Sequence, residues 1–440
     1  MSAAGTPEYQ ETKVGRIPCD WLASSLGNEV EAIVGGGTPS KDVPEYWGGE
    51  IPWASVKDFV GTRLSRTEDY ITAKAVNESS TNLIPAGTLI TPTRMALGRV
   101  AFFDCDVAIN QDLKAIFPKQ SLAKEFLFYW FQSNAETIEA SGTGSTVKGI
   151  RLELLRGFGL ALPPRHEQQK IAAILKAVDD KLDVINLQIE ATKALKKGLM
   201  QTLFSRGVGT QDATGLWIRH TEFKESALGK IPVWWSADKL DSHSIKVGSG
   251  VTPKGGSDAY LSRGIPLIRS QNVLVGRLSL ADVVFISDEQ HQKMRNSALM
   301  PCDVLLNITG ASIGRCAILP ADFGEGNVNQ HVCIIRPLPS LNPRYLCHYL
   351  NSNAGQKQVD RFQAGGNREG LNFQQIRSFD LPVPPPTEQQ KVAEILDGVD
   401  DKLQILAAKQ ASYESLKRGL MQKLLTGEWR VKLDSPTGIA

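Results

Sequence analysis

One stretch of about 40 residues occurs twice in this chain, and it limits the possible folds more than any other feature. Glu167-Gln168-Gln169-Lys170 opens a run through Val178-Asp179-Asp180-Lys181-Leu182 to Lys197-Gly198-Leu199-Met200-Gln201. Glu388-Gln389-Gln390-Lys391 opens its twin, 221 residues later, through Val399-Asp400-Asp401-Lys402-Leu403 to Arg418-Gly419-Leu420-Met421-Gln422 without a gap. In each copy the apolar residues alternate at spacings of four and three. The first seam is Ile171, Leu175, Val178, Leu182, Ile185, Ile189, Leu199 and Leu203; the second is Val392, Leu396, Val399, Leu403, Leu406, Tyr413, Leu420 and Leu424. A seven-residue period kept over several heptads, with charged and amide residues elsewhere, predicts coiled-coil helices. Pro163-Pro164 and Pro385-Pro386 end the extended segment before each one. At 1.5 Å per residue each helix is roughly 60 Å long. If the intervening segment is a compact domain at the end of the first helix, the second helix starts there and runs back. The pair is then antiparallel, with a globular domain at each end. Two unrelated surface helices are the plainer alternative, but both the seam and its flanks repeat.

The duplication extends beyond the helices. Gly15-Arg16-Ile17-Pro18 and Trp21 match Gly229-Lys230-Ile231-Pro232 and Trp235 at an offset of 214, as Thr38-Pro39 matches Thr252-Pro253. The offset widens to 216 at Gly98-Arg99 and Gly314-Arg315, and to 219 at Asn110-Gln111 and Asn329-Gln330, so small insertions fall in loops of the second copy. Each half reads as a lead, β-rich segments such as 88–91 and 304–308, an amphipathic helix (124–139 or 344–361), a Gly/Ser/Thr turn and an exit strand. The expected fold is α/β (α+β): two similar globular recognition domains joined by two long antiparallel coiled-coil helices, with cyclic pseudo-twofold organisation. The expected divisions are 1–164 and 207–386 for the domains (the second with its connector), 165–206 and 387–426 for the helices, and 427–440 for a tail returning to the first domain.

Composition is that of a globular chain of two or three domains, 440 residues with 42% hydrophobic and 22% charged. No secretory start or membrane-length apolar run is present, so a soluble cytoplasmic protein is expected. Six cysteines form no Cys-x-x-Cys pair, and buried free thiols are expected rather than a metal site or disulfide framework. A formal net charge of +2 argues against indiscriminate polyanion binding but leaves room for a local basic groove.

Catalytic motifs are not found. The nearest approach to an adenine-methyltransferase loop, Asn342-Pro343-Arg344-Tyr345, is explained by an Asn helix cap followed by Pro at the first helical position. No phosphate loop, nucleophile elbow or metal-like histidine cluster occurs. The polar loops carry more information. Gly36-Gly37-Thr38-Pro39-Ser40-Lys41 and Gly250-Val251-Thr252-Pro253-Lys254 pair glycines with a lysine, as close backbone approach to phosphate requires. Thr143, Ser145, Thr146 and Lys148, with Asn367 and Arg368 in the other half, form similar basic turns. Arg94, Arg99, Arg269, Gln271, Asn272 and Arg315 supply side chains that recognise guanine and adenine edges. For any one of these a surface or structural role is the plainer reading; recurrence in both halves is what argues for a ligand. Asn110-Gln111 and Asn329-Gln330, identical in both halves, also fit a shared structural duty. Ile174, Leu195, Met200, Ile395, Leu416 and Met421 widen the apolar stripe beyond the seam, as contact with a second neighbour requires, although packing under the chain's own domains explains the outermost of them equally well.

With these motifs in hand, the chain resembles the DNA-specificity subunit of type I restriction-modification enzymes. The resemblance rests on Gly-x-Ile-Pro and Trp at each domain start, on Pro-Pro-x-x-Glu-Gln-Gln-Lys with Val-Asp-Asp-Lys-Leu at each helix start, and on Gly-Leu-Met-Gln near each helix end. It covers nearly the whole chain. It implies two target-recognition domains on a coiled-coil spacer, each reading one half of a split site in double-stranded DNA. It also implies a non-catalytic scaffold for two methyltransferase subunits and two restriction-translocase subunits. S-adenosylmethionine, ATP and magnesium then belong to those partners. A recognition subunit of a related fused restriction-modification system and a coiled-coil adaptor without DNA stay open as alternatives.

Overall fold

The computed structural model describes residues 8–144, 147–253, 255–363 and 370–432. It divides into two compact units, Met1–Asn186 with Lys409–Ala440, and Leu187–Ala408. The two long helices run Arg165–Arg206 and Pro386–Leu424, and each unit takes half of each. The expected divisions follow helix ends, whereas compactness follows packing. In the first unit Ile171, Ala172 and Leu175 of one helix and Met421, Leu424 and Leu425 of the other share a core with Trp21, Phe126 and Phe131. In the second unit Met200, Leu203 and Phe204 meet Val392, Ala393 and Leu396 around Tyr345 and Phe379.

Every seam residue is buried or half-buried. Polar pairs fix the direction. In the first unit Asp179 lies 2.7 Å from Lys417, and Asn186 accepts from Gln410 at 2.7 Å, so rising along one helix is descending along the other. In the second unit Lys196 and Asp400, the counterparts of Lys417 and Asp179, are 2.5 Å apart. The helices are antiparallel.

The repeated Glu-Gln of each helix start now has a physical reason. In the first unit Glu167, 1% exposed, accepts the indole N–H of Trp21 at 3.0 Å and pairs with Arg430. In the second, Glu388 accepts the indole N–H of Trp235 at 2.8 Å, the backbone N–H groups of Val208 and Gly209, and faces His220 Nε2 at 3.0 Å. Gln168 accepts from the Ala123 N–H and donates to the Ser121 and Pro163 carbonyls; Gln389 does the same with Asn342, Ser340 and Pro384. Buried polar groups survive only when paired, and these fasten each domain's lead and its helix to the start of a long helix.

Beside two-stranded pairings, each domain carries two larger sheets. In the first unit one sheet has the order Val30–Gly35, Leu113–Pro118, Leu89–Pro92, Ala101–Phe103, Arg63–Leu64, and the other Asp69–Ile71, Trp47–Ala54, Val107–Ile109, Asn82–Ile84. The second unit repeats them without the last strand of each: Ser244–Ser249, Val332–Pro337, Val304–Asn307, Cys316–Ile318, and Val284–Ile286, Ile265–Ile268, Asn327–Val328. The register is kept, Trp53 opposite Ala108 corresponding to Leu267 opposite Asn327 in parallel pairs.

The single amphipathic helix expected in each domain is two helices. Lys124–Ser133 is followed by Ala135–Ala140, and Pro343–Leu350 by Asn353–Gln363. Asn134 and Asn351 break them by donating side-chain N–H to the Trp130 and Cys347 carbonyls. Asn342 caps Pro343–Leu350 as expected, accepting from the Arg344 and Tyr345 N–H groups with Pro343 at the first helical position. Three of the six free thiols, Cys316, Cys333 and Cys347, are buried; Cys19 is exposed, and Cys105 and Cys302 are partly so. Burial pushes the Cys333 thiol up to about 12.

Candidate nucleic-acid interface

In each domain the polar loops leave the carboxyl ends of the same strands. In the first, the loop after Val30–Gly35 is tied down where Gly37 N–H donates to Ile109 O at 3.0 Å and Trp53 Nε1 donates to Gly37 O at 3.1 Å. Asn110 N–H donates to Ala54 O at 3.0 Å, which seats the 110–112 loop beside the turn that follows Trp47–Ala54. Thr93, just past Leu89–Pro92, donates its N–H to Asp112 O and accepts from Ile150 N–H, and Gly149 bridges to Arg94 and to Thr143, so these residues join them. Lys41, Arg94, Arg99, Thr38, Thr143 and Lys148 therefore lie at one end of one domain.

The second domain repeats the construction. Asn329 N–H donates to Ile268 O at 3.1 Å, and Thr309 bridges to Gly370 as Arg94 bridges to Gly149. Gly36 and Gly250 stand where a Cβ would come 1.8 Å from Ile109 O and 1.7 Å from Val328 O, so neither can carry a side chain. This close approach explains the repeated glycine.

A polar set recurs on top of that frame. The Thr38 hydroxyl donates to Gln111 Oε1 at 2.7 Å, and the Thr252 hydroxyl donates to Gln330 Oε1. Both glutamines are exposed. Held by its oxygen, Gln111 leaves its amide N–H groups to the outside, whereas the Gln330 amide nitrogen lies 3.3 Å from His331 Nε2. Asn110 and Asn329 sit beneath, buried, accepting from the Asp112 and His331 N–H groups. The asparagines brace the loop; the glutamines face outward. In the first domain Lys114 sits on the Gln111 carbonyl at 2.6 Å, where burial pulls its ammonium below the ordinary value.

The basic residues differ in how tightly they are held. Lys41 and Lys148 are exposed. Arg94, its side chain 57% exposed, has Nη1 3.6 Å from Asp112 Oδ1, a contact too long for a hydrogen bond. Arg99 donates to Phe59 O at 2.9 Å, its counterpart Arg315 is exposed, and so is Gln271. Arg269 is half-buried, donating to Asp282 O at 2.9 Å with its guanidinium 5.4 Å from the Tyr260 ring centre. Asn272 does not face outward: it is 1% exposed, accepts from Arg269 N–H at 2.9 Å and donates to Ser279 O at 3.0 Å. Asp58 fills the same place in the first domain, accepting from Ser55 N–H at 2.8 Å. A buried turn cap needs a short polar side chain, and asparagine serves as well as aspartate. Ser145, Thr146, Lys254, Asn367 and Arg368 lie outside the described residues.

The residues beyond the helical seam separate too. Met200 and Met421 are buried in the cores of their own units, 9% and 8% exposed, which leaves them no surface for a partner. Ile174 and Ile395 pack against those cores, half-buried. Leu195 and Leu416 stand out, 54% and 48% exposed.

Sequence reasoning passed over Met95. It is 54% exposed, on the turn between Arg94 and Arg99, with φ +65°. Its counterpart is Gly310, φ +70°. The sequence offset of 216 at Gly98 sets Met95 against Ala311; only the bridges of Arg94 to Gly149 and of Thr309 to Gly370 set it against Gly310, the second turn being one residue longer. Among the described residues no group of three or more His, Cys, Asp or Glu is placed to hold a metal ion, and no helix is long and apolar enough to cross a membrane.

Comparison with known proteins fits this doubled arrangement. The sequence model described as type I restriction modification DNA specificity domain matches residues 18–192 and 247–414. The chain is 26% identical to the type I restriction enzyme MjaIX specificity subunit of Methanocaldococcus jannaschii, over 97% of each chain. It is 37% identical to the Escherichia coli EcoR124I/EcoR124II specificity subunit over 37% of this chain and 41% of that one. The solved structure of a type I restriction-modification S subunit from M. genitalium shares the fold, with a TM-score of 0.59 at 18% identity, covering 95% of this chain and 98% of that one.

Proposed function

This chain belongs to the type I restriction modification DNA specificity family, and from that premise we propose how its two domains divide the reading of DNA. It is a sequence-specificity subunit and not an enzyme. Each domain reads one half of a bipartite duplex site with the loop end just described. The observation that carries this reading is the repeated set of exposed glutamine, anchoring threonine and bracing asparagine at the same place in both domains. A shared structural duty is already met by the asparagines, so an exposed glutamine in each half is placed to meet a ligand. Glutamine amides and arginine guanidinia suit base edges in the major groove, and Lys41 and Lys148 suit phosphates. Ser145, Thr146, Lys254, Asn367 and Arg368 continue the same loops in sequence and stay candidates; Asn272 does not.

The paired helices set the separation of the half-sites and carry the partners: two methyltransferase subunits, one docking at Leu195 in its unit and one at Leu416 in the other, and two restriction-translocase subunits. S-adenosylmethionine, ATP and magnesium act on those partners, and the assembly works in the cytoplasm, where its DNA is. The test is binding of the full chain, with its methyltransferase partner, to an array of variant duplexes. Wild type should discriminate in two separated blocks, and Arg315→Ala should relax one block by about 1 to 3 kcal/mol per lost contact. Relaxation of both blocks together, or of neither, contradicts the division.

A further inference from the structure

Met95 occupies a backbone position that disfavours it. Its φ of +65° lies in the left-handed region, where a side chain crowds the following carbonyl and glycine is at ease. The second domain puts Gly310 there, with φ +70°. In the first domain Met95 N–H is held by Lys148 O at 2.9 Å and Met95 O accepts from Leu97 N–H at 3.0 Å, whereas the second domain's turn is one residue longer and Gly310 O accepts from Ile313 N–H at 3.0 Å; both turns close on a glycine, Gly98 and Gly314, with φ +80° and +82°. Nothing in the packing rewards the methionine, because its side chain is not part of any core and is 54% exposed. Its surroundings are those of the loop end: Arg94 precedes it, Lys148 pairs with its backbone, and the Gln111–Asp112 loop holds Thr93 two residues before it. An apolar, flexible thioether is thus presented among groups with donors for base edges.

We propose that Met95 is a specificity-determining residue of the first half-site, packing against the C5-methyl group of a thymine in the major groove. That methyl is the one apolar feature the major groove offers, and the polarisable, unbranched methionine adapts to it without a preformed pocket. The second domain, with Gly310 in that place, makes no such contact, so the dependence is confined to one half of the site. The proposal rests on the reading that this loop end faces DNA.

The experiment uses the full chain with its methyltransferase partner and the duplex motif selected by the wild type from a randomised library. Each thymine of the first half-site is replaced in turn by uracil, which removes only the methyl group, and binding is compared for wild type, Met95→Gly and Lys41→Ala. One position should weaken wild type about fourfold, the worth of one buried methyl, and leave Met95→Gly unaffected. Met95→Gly should also melt no lower than wild type, since glycine suits the left-handed turn; a merely structural methionine would lower the melting temperature and leave the uracil response intact. If Lys41→Ala weakens binding to all duplexes while no uracil position distinguishes Met95→Gly from wild type, the proposal is overturned and the face is kept. An equal loss of affinity on thymine and uracil duplexes makes Met95 a wedge between base steps and likewise overturns the methyl contact. If Lys41→Ala changes nothing, the face itself is wrong and Met95 falls with it.

Discussion

Lys41 and Glu388 show how differently two single residues report on this protein. Lys41 is exposed on the glycine-rich loop, so Lys41→Ala should leave stability unchanged, weaken binding to every duplex alike and lower the salt slope by about one; titration at two salt concentrations checks this. Glu388 is 1% exposed and serves the Trp235 indole, two backbone N–H groups and His220. Glu388→Ala strands those buried donors together, and removal of one partner from such a site costs about 3 kcal/mol or more. Trp235 fluorescence in a denaturant titration should show the second unit opening early while the first keeps its midpoint. At this scale the sequence was partly legible. The Trp, Glu and Gln of each half were visible as repeats, but repetition does not say which are bonded to each other. Asn272 was misread for the same reason: a side chain that suits an adenine edge suits a turn cap equally, and only its burial decides. Met200 and Met421 resembled surface stripe residues because a helix end that enters a globular core has apolar residues on more faces than its seam requires.

Among the elements, the domain helix Pro343–Leu350 is tied to the second long helix through Asp397, which accepts from Arg344 at 2.9 Å and meets His348 Nε2 at 2.7 Å. Burial raises the Asp397 carboxyl, but His348 and Arg344 together outweigh it and hold the group below the usual carboxylate value. A lowered carboxyl contributes stability that is complete above its unfolded value and is lost as the pH falls through the folded one. Hydrogen-exchange protection of this helix should therefore drop in acid more in wild type than in Asp397→Asn, and equal acid sensitivity in the two would exclude Asp397 from the effect. The long helices were the most legible elements, since a heptad seam flanked by Pro-Pro specifies a helix start, its buried face and its partner. Strand pairing was not: the parallel neighbours Trp47–Ala54 and Val107–Ile109 are distant in sequence, and no local pattern announces a non-local pair. Leu195 and Leu416 are exposed, each in its own unit, and Leu195→Asp with Leu416→Asp leaves both cores untouched, so the folded variant should lose co-purification with the methyltransferase; undiminished recovery would remove these two positions as docking sites.

For the whole molecule, the duplication that organises the sequence also organises the chemistry, each compact unit holding its own sheets, anchor and loop end. Its two-domain character was readable because both copies keep the same motifs in order; the reading residues were not, because they sit in loops where geometry rather than periodicity chooses what faces outward. Four residues inserted near Asn186 shift the heptad phase of the first long helix, and the methylated motif should keep its two half-sites with an altered number of unspecified bases between them. The most direct test of the central claim is the methylated motif itself, read by modification-sensitive sequencing in cells that carry the chain with its partner subunits, for wild type, Gln111→Ala and Gln330→Ala. Gln111→Ala should relax bases in one half only and Gln330→Ala bases in the other half only. Relaxation of both halves by either variant, or of the same half by both, would contradict it.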